Sequence, residues 1–268
     1  MAQMNMIPMV FHFAFFRGKT DWPWLDFHTL CLQSCLARAH PEKIVIHYDR
    51  DGEGPAWDAA RTLHPAKIEW RQVEAPDTIN GHPVTDQRLW ADIYRLRILY
   101  EEGGFYCDLD FVFLKNFEML RHYPAIIGTQ CKQKKKLACG LMGSIAGSTF
   151  IKAYLDAYKD WTPKEEKKVW TFANVIPWAL SQEYAVHVLP RVAFYPVAWS
   201  NKTFWSGAVP KLKNSYALHL WETLHPELNM DVLMKTGLAE EIRKILGFPP
   251  AYASRGTVTM TSGFLTFQ

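Results

Sequence analysis

The sequence predicts an open α/β sheet flanked by helices, and three observations carry that expectation. Short apolar runs alternate with helix-length amphipathic segments through the first 114 residues, an order that gives parallel strands joined by helical crossovers. At 268 residues and 49% hydrophobic content, the chain can bury one substantial core. No repeat, low-complexity tract or linker interrupts it, so residues 1–268 read as one domain.

Taken in order, residues 7–15 read as a strand, 25–39 as a helix, 43–48 as a strand, 55–63 as a helix and 67–73 as a third strand. The next helix is the best marked. Thr85 is its expected cap; Leu89, Ile93, Leu96 and Tyr100 recur at the spacing of one buried face, and Arg88, Asp92 and Arg95 share the opposite one. Gly103 and Gly104 end it, because glycine accepts the left-handed conformation that closes a last turn. Phe105, Tyr106 and Cys107 then form a short buried strand, which delivers Asp108 and Asp110 to the carboxyl end where open α/β sheets bind ligands. Farther on, Ala125 to Gly128 reads as a strand, Thr149 to Trp161 and Val169 to Gln182 as helices, and Val186 to Tyr195 and Tyr216 to Trp221 as late strands. A last helix, Leu238 to Leu246, stops at Gly247 ahead of Pro249 and Pro250.

Asp108-Leu109-Asp110 places two carboxylates on one side of an extended chain. Hard cations such as Mn²⁺ and Mg²⁺ take one or two protein carboxylates and leave other positions to phosphates and water. The same spacing at Asp49-Arg50-Asp51 reads as a solvated turn, so spacing alone does not decide. The setting adds to it: Asp92 and Arg95, three apart on one helical face, read either as a surface ion pair or as a hydroxyl acceptor and a phosphate or sugar clamp.

The run Ala91-Asp92-Ile93-Tyr94-Arg95, followed by Leu99-Tyr100-Glu101-Glu102-Gly103-Gly104-Phe105-Tyr106-Cys107-Asp108-Leu109-Asp110, resembles the DXD-containing sugar-binding region of family 32 glycosyltransferases. It is also similar to the glucosyltransferase domains of large clostridial toxins. The resemblance implies a GT-A type fold, a Rossmann-like open mixed sheet flanked by helices. Its nucleotide-binding half would cover about 1–114 and its acceptor half about 115–268. It also implies a divalent metal, Mn²⁺ or Mg²⁺, on Asp108, Asp110 and His219, and a nucleotide diphosphate sugar donor, by family habit a UDP-sugar. Phe15, in Ile7-Pro8-Met9-Val10-Phe11-His12-Phe13-Ala14-Phe15, holds the family place of an aromatic that packs on the base; an ordinary core aromatic is the alternative. Tyr216-Ala217-Leu218-His219-Leu220-Trp221 resembles the late segment that returns to the metal, where the Trp221 indole N–H would donate to a phosphate. The chain departs from the family at Ala138-Cys139-Gly140-Leu141-Met142-Gly143-Ser144, where relatives carry an Asn, and at Val175-Ile176-Pro177, where they carry Thr-Gly-Pro.

A net charge of +3 does not suggest a nucleic-acid partner. Five cysteines without regular spacing do not make a disulfide framework, and Cys31 and Cys35 read as core. The apolar N-terminal run is too short to span a bilayer and lacks a signal peptide's features, which implies a cytoplasmic protein. Lys132, Lys134, Lys135 and Lys136 read as a solvated loop, or as a contact with the inner face of a membrane or a lipid-linked acceptor.

The implied reaction moves a hexose to an acceptor hydroxyl on a glycan, lipid-linked molecule or protein, with retained anomeric configuration, as in surface polysaccharide or glycan synthesis. Asp92 and Asp108 would hold sugar hydroxyls, and Arg95 and Trp221 would face the diphosphate. A non-catalytic sugar-nucleotide binder would keep the same pocket. A haloacid-dehalogenase-like phosphatase also fits Asp108-Leu109-Asp110-Phe111-Val112, but the chain has no Gly-Asp pair to complete such a site.

Overall fold

The computed structural model describes residues 5–18, 22–75, 77–131, 135–164, 170–205, 207–208, 211–247, 258–261 and 264–267. Lys132, Lys134, Val169, Pro249 and Pro250 lie outside these described residues. The first half runs Val10–Phe15 (β1), Asp26–Ser34 (α1), Lys43–Tyr48 (β2), Pro55–Arg61 (α2) and Ile68–Gln72 (β3). A small hairpin of Thr78–Ile79 (β4) and His82–Pro83 (β5) precedes Gln87–Glu101 (α3), Gly104–Cys107 (β6) and Phe111–Phe113 (β7). Then come Ala125–Cys131 (β8), Lys136–Ser144 (β9), Thr149–Asp156 (α4), Ile176–Leu180 (α5) and His187–Leu189 (β10). Lys202–Trp205 (α6), Ala217–His219 (β11), Met230–Leu233 (α7), Ala239–Ile245 (α8) and the hairpin Val258–Thr261 (β12) with Phe264–Phe267 (β13) complete it.

Seven strands form the main sheet in the order β10-β8-β9-β6-β1-β2-β3. Pairings are parallel from β6 through β1 and β2 to β3 and between β8 and β10, whereas β9 is antiparallel to both its neighbours. The sheet is therefore mixed, with β9 alone opposing the rest. From β1 the chain builds outward to β3, and α3 then carries it back to β6 on the other side of β1. That reversal of strand order opens a crevice at the carboxyl ends of β1 and β6.

Strand alternation sorts side chains between the two faces. Phe11, Phe13, Phe15, Phe105 and Cys107 join one apolar cluster, which also holds Phe113 and Phe117. Tyr106 turns to the other face, where Leu89, Ile93, Leu96 and Leu99 of α3 meet Met142, Phe150 and Tyr154. A third cluster links Phe27 and Leu30 of α1 to Val112, Leu218, Leu220 and the C-terminal helices, which fixes β7 and β11 beside the main sheet.

Several expectations shift by local causes. Asp86, not Thr85, caps α3, its carboxylate accepting the N–H of Arg88. Gly103 and Gly104 have φ of 70° and 97°, and a Cβ on Gly104 would lie 2.5 Å from the Val10 carbonyl oxygen, so the stop also lets β6 approach β1. The strand expected from Val186 to Tyr195 is only His187–Leu189; Pro190 has no N–H to continue it, and the chain turns into a 3₁₀ segment. Helix 25–39 is α1 extended by a wide turn, Cys35–Ala39, and both Cys31 and Cys35 are fully buried. Lys135 is exposed and Lys136 begins β9.

Candidate active site

The end of β6 and the start of β7 flank the turn that carries Asp108 and Asp110. Antiparallel pairing of β7 with β11 sets His219 opposite Phe111, one residue past Asp110. Leu220 N–H bonds to the Asp110 carbonyl at 2.8 Å and locks that register. As a result His219 Nε2 lies 3.0 Å from Asp110 Oδ2, its ring stacked on Phe111 at 4.5 Å. Asp108, Asp110 and His219 each offer a ligand atom within 4.8 Å of the others, the one such group among the described residues.

Arg95 fixes the rest of the site from α3. One guanidinium nitrogen, Nη2, reaches Asp92 Oδ1 at 3.1 Å and Asp108 Oδ1 at 3.2 Å. Its Nη1 donates to the Cys139 carbonyl at 2.7 Å and Nε to the Ala91 carbonyl at 3.1 Å, while the carbon between them sits 4.6 Å over the Tyr106 ring. Asp92 and Arg95 are both buried, so they are not the surface ion pair that helical spacing allowed. The expected clamp on a phosphate is committed instead to protein groups: Arg95 holds two carboxylates in place. The Cys139 thiol, 3.6 Å from Asp92 Oδ1, closes the other side.

Burial raises the Asp108 pKa to about 6, aided by the charge of Asp110 and opposed by Arg95 and His219. At Asp110 burial works upward too, yet His219 and the Glu222 N–H, at 2.9 Å, hold its carboxyl below the ordinary value. Burial raises Asp92 as well, against the pull of Arg95. Two carboxylates of unequal basicity therefore share one turn.

Oxygen and imidazole donors in this set suit Mn²⁺ or Mg²⁺. His219 also leaves Nδ1 buried without a partner, so its ring is not satisfied by the protein alone. The residues fit a divalent ion on geometry and on donor chemistry.

Two cavities meet at Asp108. One is lined by the ends of β1 and β6 and the first turns of α3, including Phe15, Phe16, Trp22, Arg88, Arg95, Asp108 and Asp110. The other holds Asp92, Asp108, Cys139, Gly140, Asn174, Tyr195, His219 and Trp221. Phe15 lines the first but is 3% exposed, its ring packed on Trp24 and Trp57 at 5.1 and 5.5 Å; the more open ring in that cleft is Trp22, at 37%. The indole N–H of Trp221 donates to the Val197 carbonyl at 3.1 Å rather than facing the crevice. The other two-aspartate spacing, Asp49-Arg50-Asp51, behaves as a turn: Asp49 accepts the N–H groups of Arg17 and Gly18 at 2.9 and 3.0 Å and closes the loop after β1.

Sequence reading missed Gly140, Cys139, Asn174 and Glu222. A Cβ on Gly140 would lie 2.8 Å from Asp108 Oδ2, so this glycine makes room for the carboxylate. Asn174, buried in the turn Thr171–Val175 that leads into α5, donates to the Leu137 carbonyl of β9 at 2.7 Å. Cys139 and Gly140 lie inside the Ala138 to Ser144 departure and Asn174 just before the Val175-Ile176-Pro177 one, so those breaks in the family pattern were the signal; Glu222 had none.

With this geometry in hand, the sequence matches the family described as glycosyltransferase sugar-binding region containing DXD motif over residues 27–127. The alpha 1,4-glycosyltransferase conserved region matches over residues 173–245. These matches make the chain similar to the DXD glycosyltransferases. It is similar to Glucan organizing enzyme 1 of Cryptococcus neoformans var. grubii, 29% identical over 224 residues, 78% of this chain, and spans 59% of the length of that protein. It is 23% identical over 247 residues to human lactosylceramide 4-alpha-galactosyltransferase, covering 77% of this chain and 67% of that one. A crystal structure of the galactosyltransferase LgtC with donor and acceptor sugar analogues aligns at TM-score 0.50 and 14% identity, covering 91% of this chain and 98% of the other, and shares the GT-A fold. No helix among the described residues is long and apolar enough to cross a membrane.

Proposed function

We propose that this glycosyltransferase moves a hexose from a nucleotide diphosphate sugar, a UDP-sugar by family habit, to an acceptor hydroxyl, with a divalent metal held by Asp108, Asp110 and His219. The observation that carries the reading is the convergence of these three residues, from two separate segments, on the switch-point crevice. When bound, the ion supplies Lewis-acid neutralisation of the departing diphosphate, an effect worth several kcal/mol.

The chain's own groups do the remaining work. Arg95 keeps Asp108 ionised and aimed, and Gly140 leaves it room. Asp92, on the acceptor side of Asp108, accepts sugar hydroxyls and orients the ring. Trp22 offers the donor base an open face in the cleft that Phe15 backs from below. Trp221, its N–H engaged, contributes a wall rather than a donor to phosphate.

The bond from anomeric carbon to diphosphate oxygen breaks as the acceptor oxygen bonds to the same carbon. The acceptor proton passes to the diphosphate oxygen. Asp92, Asp108 and Asp110 are each held by a protein partner, so none is assigned as a covalent nucleophile. Retention, as in the resembling families, then means attack on the face that the diphosphate leaves.

A thermal-shift panel of nucleotide sugars with and without Mn²⁺ tests this reading. A true donor at a hundredfold excess over its Kd stabilises by about 2.7 kcal/mol, and only when Mn²⁺ is present. No shift with any nucleotide sugar would refute it. Analysis of the product's anomeric configuration tests retention, and inversion would overturn the same-face step.

A further inference from the structure

Past the metal-ligating cluster the crevice widens into a cavity of about 810 Å³. Tyr195, Trp221, Trp170 and Asn174 line both this cavity and the smaller one at Asp108 and His219, so the two are continuous. Two of its tryptophans differ from the core ones in being open: Trp170 is 49% exposed and Trp199 51%, whereas Trp161 is 1% exposed. An open indole face suits the apolar C–H face of a pyranose ring.

The charge of the lining is one-sided. Among the described residues, Lys136 and Arg191 are the only charged ones in its lining, and no described aspartate or glutamate lines it. Lys136 makes no ion pair among the described residues, and Arg191 uses one nitrogen on the Pro196 carbonyl at 3.3 Å. Two cations on an aromatic wall, with no anion among the described lining residues, create a local potential that favours a negatively charged guest. A guanidinium beside an ammonium recognises carboxylate or phosphoryl oxygens by charge-assisted hydrogen bonds.

We propose that this cavity is the acceptor groove and that it selects an acidic glycan, with a pyranose ring against Trp170 or Trp199 and its carboxylate or phosphoryl substituent on Lys136 and Arg191. The inference rests on the transferase reading above and names the acceptor class for it. The neighbouring donor cleft sets the geometry: an acceptor seated here reaches the anomeric carbon through the opening at Asp108 and Asp92.

Binding can be read without donor, through the groove's own tryptophans. The native protein is titrated with methyl β-D-glucuronide, glucose 6-phosphate and methyl β-D-glucoside at low and high NaCl, following tryptophan fluorescence. At least one acidic probe should bind tenfold or more tightly than the neutral glucoside, and that advantage should shrink as salt rises. Which acidic probe wins separates a carboxylate from a phosphoryl source. In Lys136→Ala/Arg191→Ala the preference should fall to within twofold. Equal binding of all three probes, no binding of any, or a preference that survives the double substitution would overturn the proposal. Failure of the transferase reading shows elsewhere, as a missing Mn²⁺-dependent shift with every nucleotide sugar; an overturned groove assignment leaves that shift intact.

Discussion

Replacing Gly140 with Ala adds one methyl group directly behind Asp108 and changes no charge. The added Cβ would start 2.8 Å from Asp108 Oδ2, with Phe111 and the Tyr195 hydroxyl at 3.4 and 3.5 Å, both ordinary contacts. Ordinary contact with the carboxylate also begins near 3.4 Å, so that oxygen must retreat by about 0.6 Å. Its other oxygen is tied to Arg95 at 3.2 Å, which limits the escape to a tilt of the carboxylate. A misplacement of about 1 Å at a reacting centre can cost roughly a hundredfold, which scales here to about a tenfold loss of kcat/KM, or ~1.4 kcal/mol. Folding should change little, because Gly140 is outside the positive-φ region and alanine removes freedom from the unfolded chain, a gain of up to about 1 kcal/mol against the strain. The assay is Mn²⁺-dependent donor turnover beside a melting curve. Native turnover in the variant would show that Asp108 position does not govern the reaction, and a large fall in melting temperature with unchanged turnover would make Gly140 a packing residue only.

Three other perturbations probe the network. Arg95→Ala strands the buried Asp92 carboxylate and the part-exposed Asp108 one and should cost about 3 kcal/mol of stability as well as turnover, whereas Arg95→Lys keeps a charge but not the fork and should retain more of the fold than of the activity; calorimetry beside kinetics separates the two. Because Asp108 must lose its proton to bind a metal, Mn²⁺ affinity should fall about tenfold per pH unit below about 6 and level off above it; a titration series that is flat from pH 5 to 7 would remove Asp108 from the ligand set. Burial lowers His12 to about 4 and His47 to about 3, the pair bonded to each other at 3.1 Å and to Gly103 and Tyr94. Their folded pKa values lie below the unfolded ones, so the unfolded chain binds more protons. The stability they give is present above about 6.5 and lost as pH falls toward 4, by up to about 2.7 kcal/mol per unit for two protons; denaturant midpoints that do not move in this window would contradict it.

The nucleotide-side half of the site was legible because it is local. Helix, glycine stop, short strand and acidic turn follow one another within 25 residues, and each is specified by its own neighbours in sequence. β9 was not legible. Its run, Lys136–Ser144, contains two glycines and no β-branched residue, so propensity argues against a strand. Those glycines answer tertiary demands: Gly140 clears Asp108, and a Cβ on Gly143 would lie 2.6 Å from the Phe105 ring. The burial of Asp92 and Arg95 was hidden for the same reason, since Cys139 of β9 covers a helical face that spacing alone marks as polar. The core and crevice roles of the tryptophans likewise depend on packing, which composition does not carry.

The account turns on a divalent ion held by Asp110 together with Asp108 and His219. Asp110→Asn preserves shape and keeps an oxygen for the Glu222 N–H while removing one ligand charge. Isothermal titration of Mn²⁺ into native protein with a saturating nucleotide sugar should give one site, weakened at least roughly a hundredfold in Asp110→Asn. A native titration without binding, or a variant that binds Mn²⁺ as the native protein does, would contradict it.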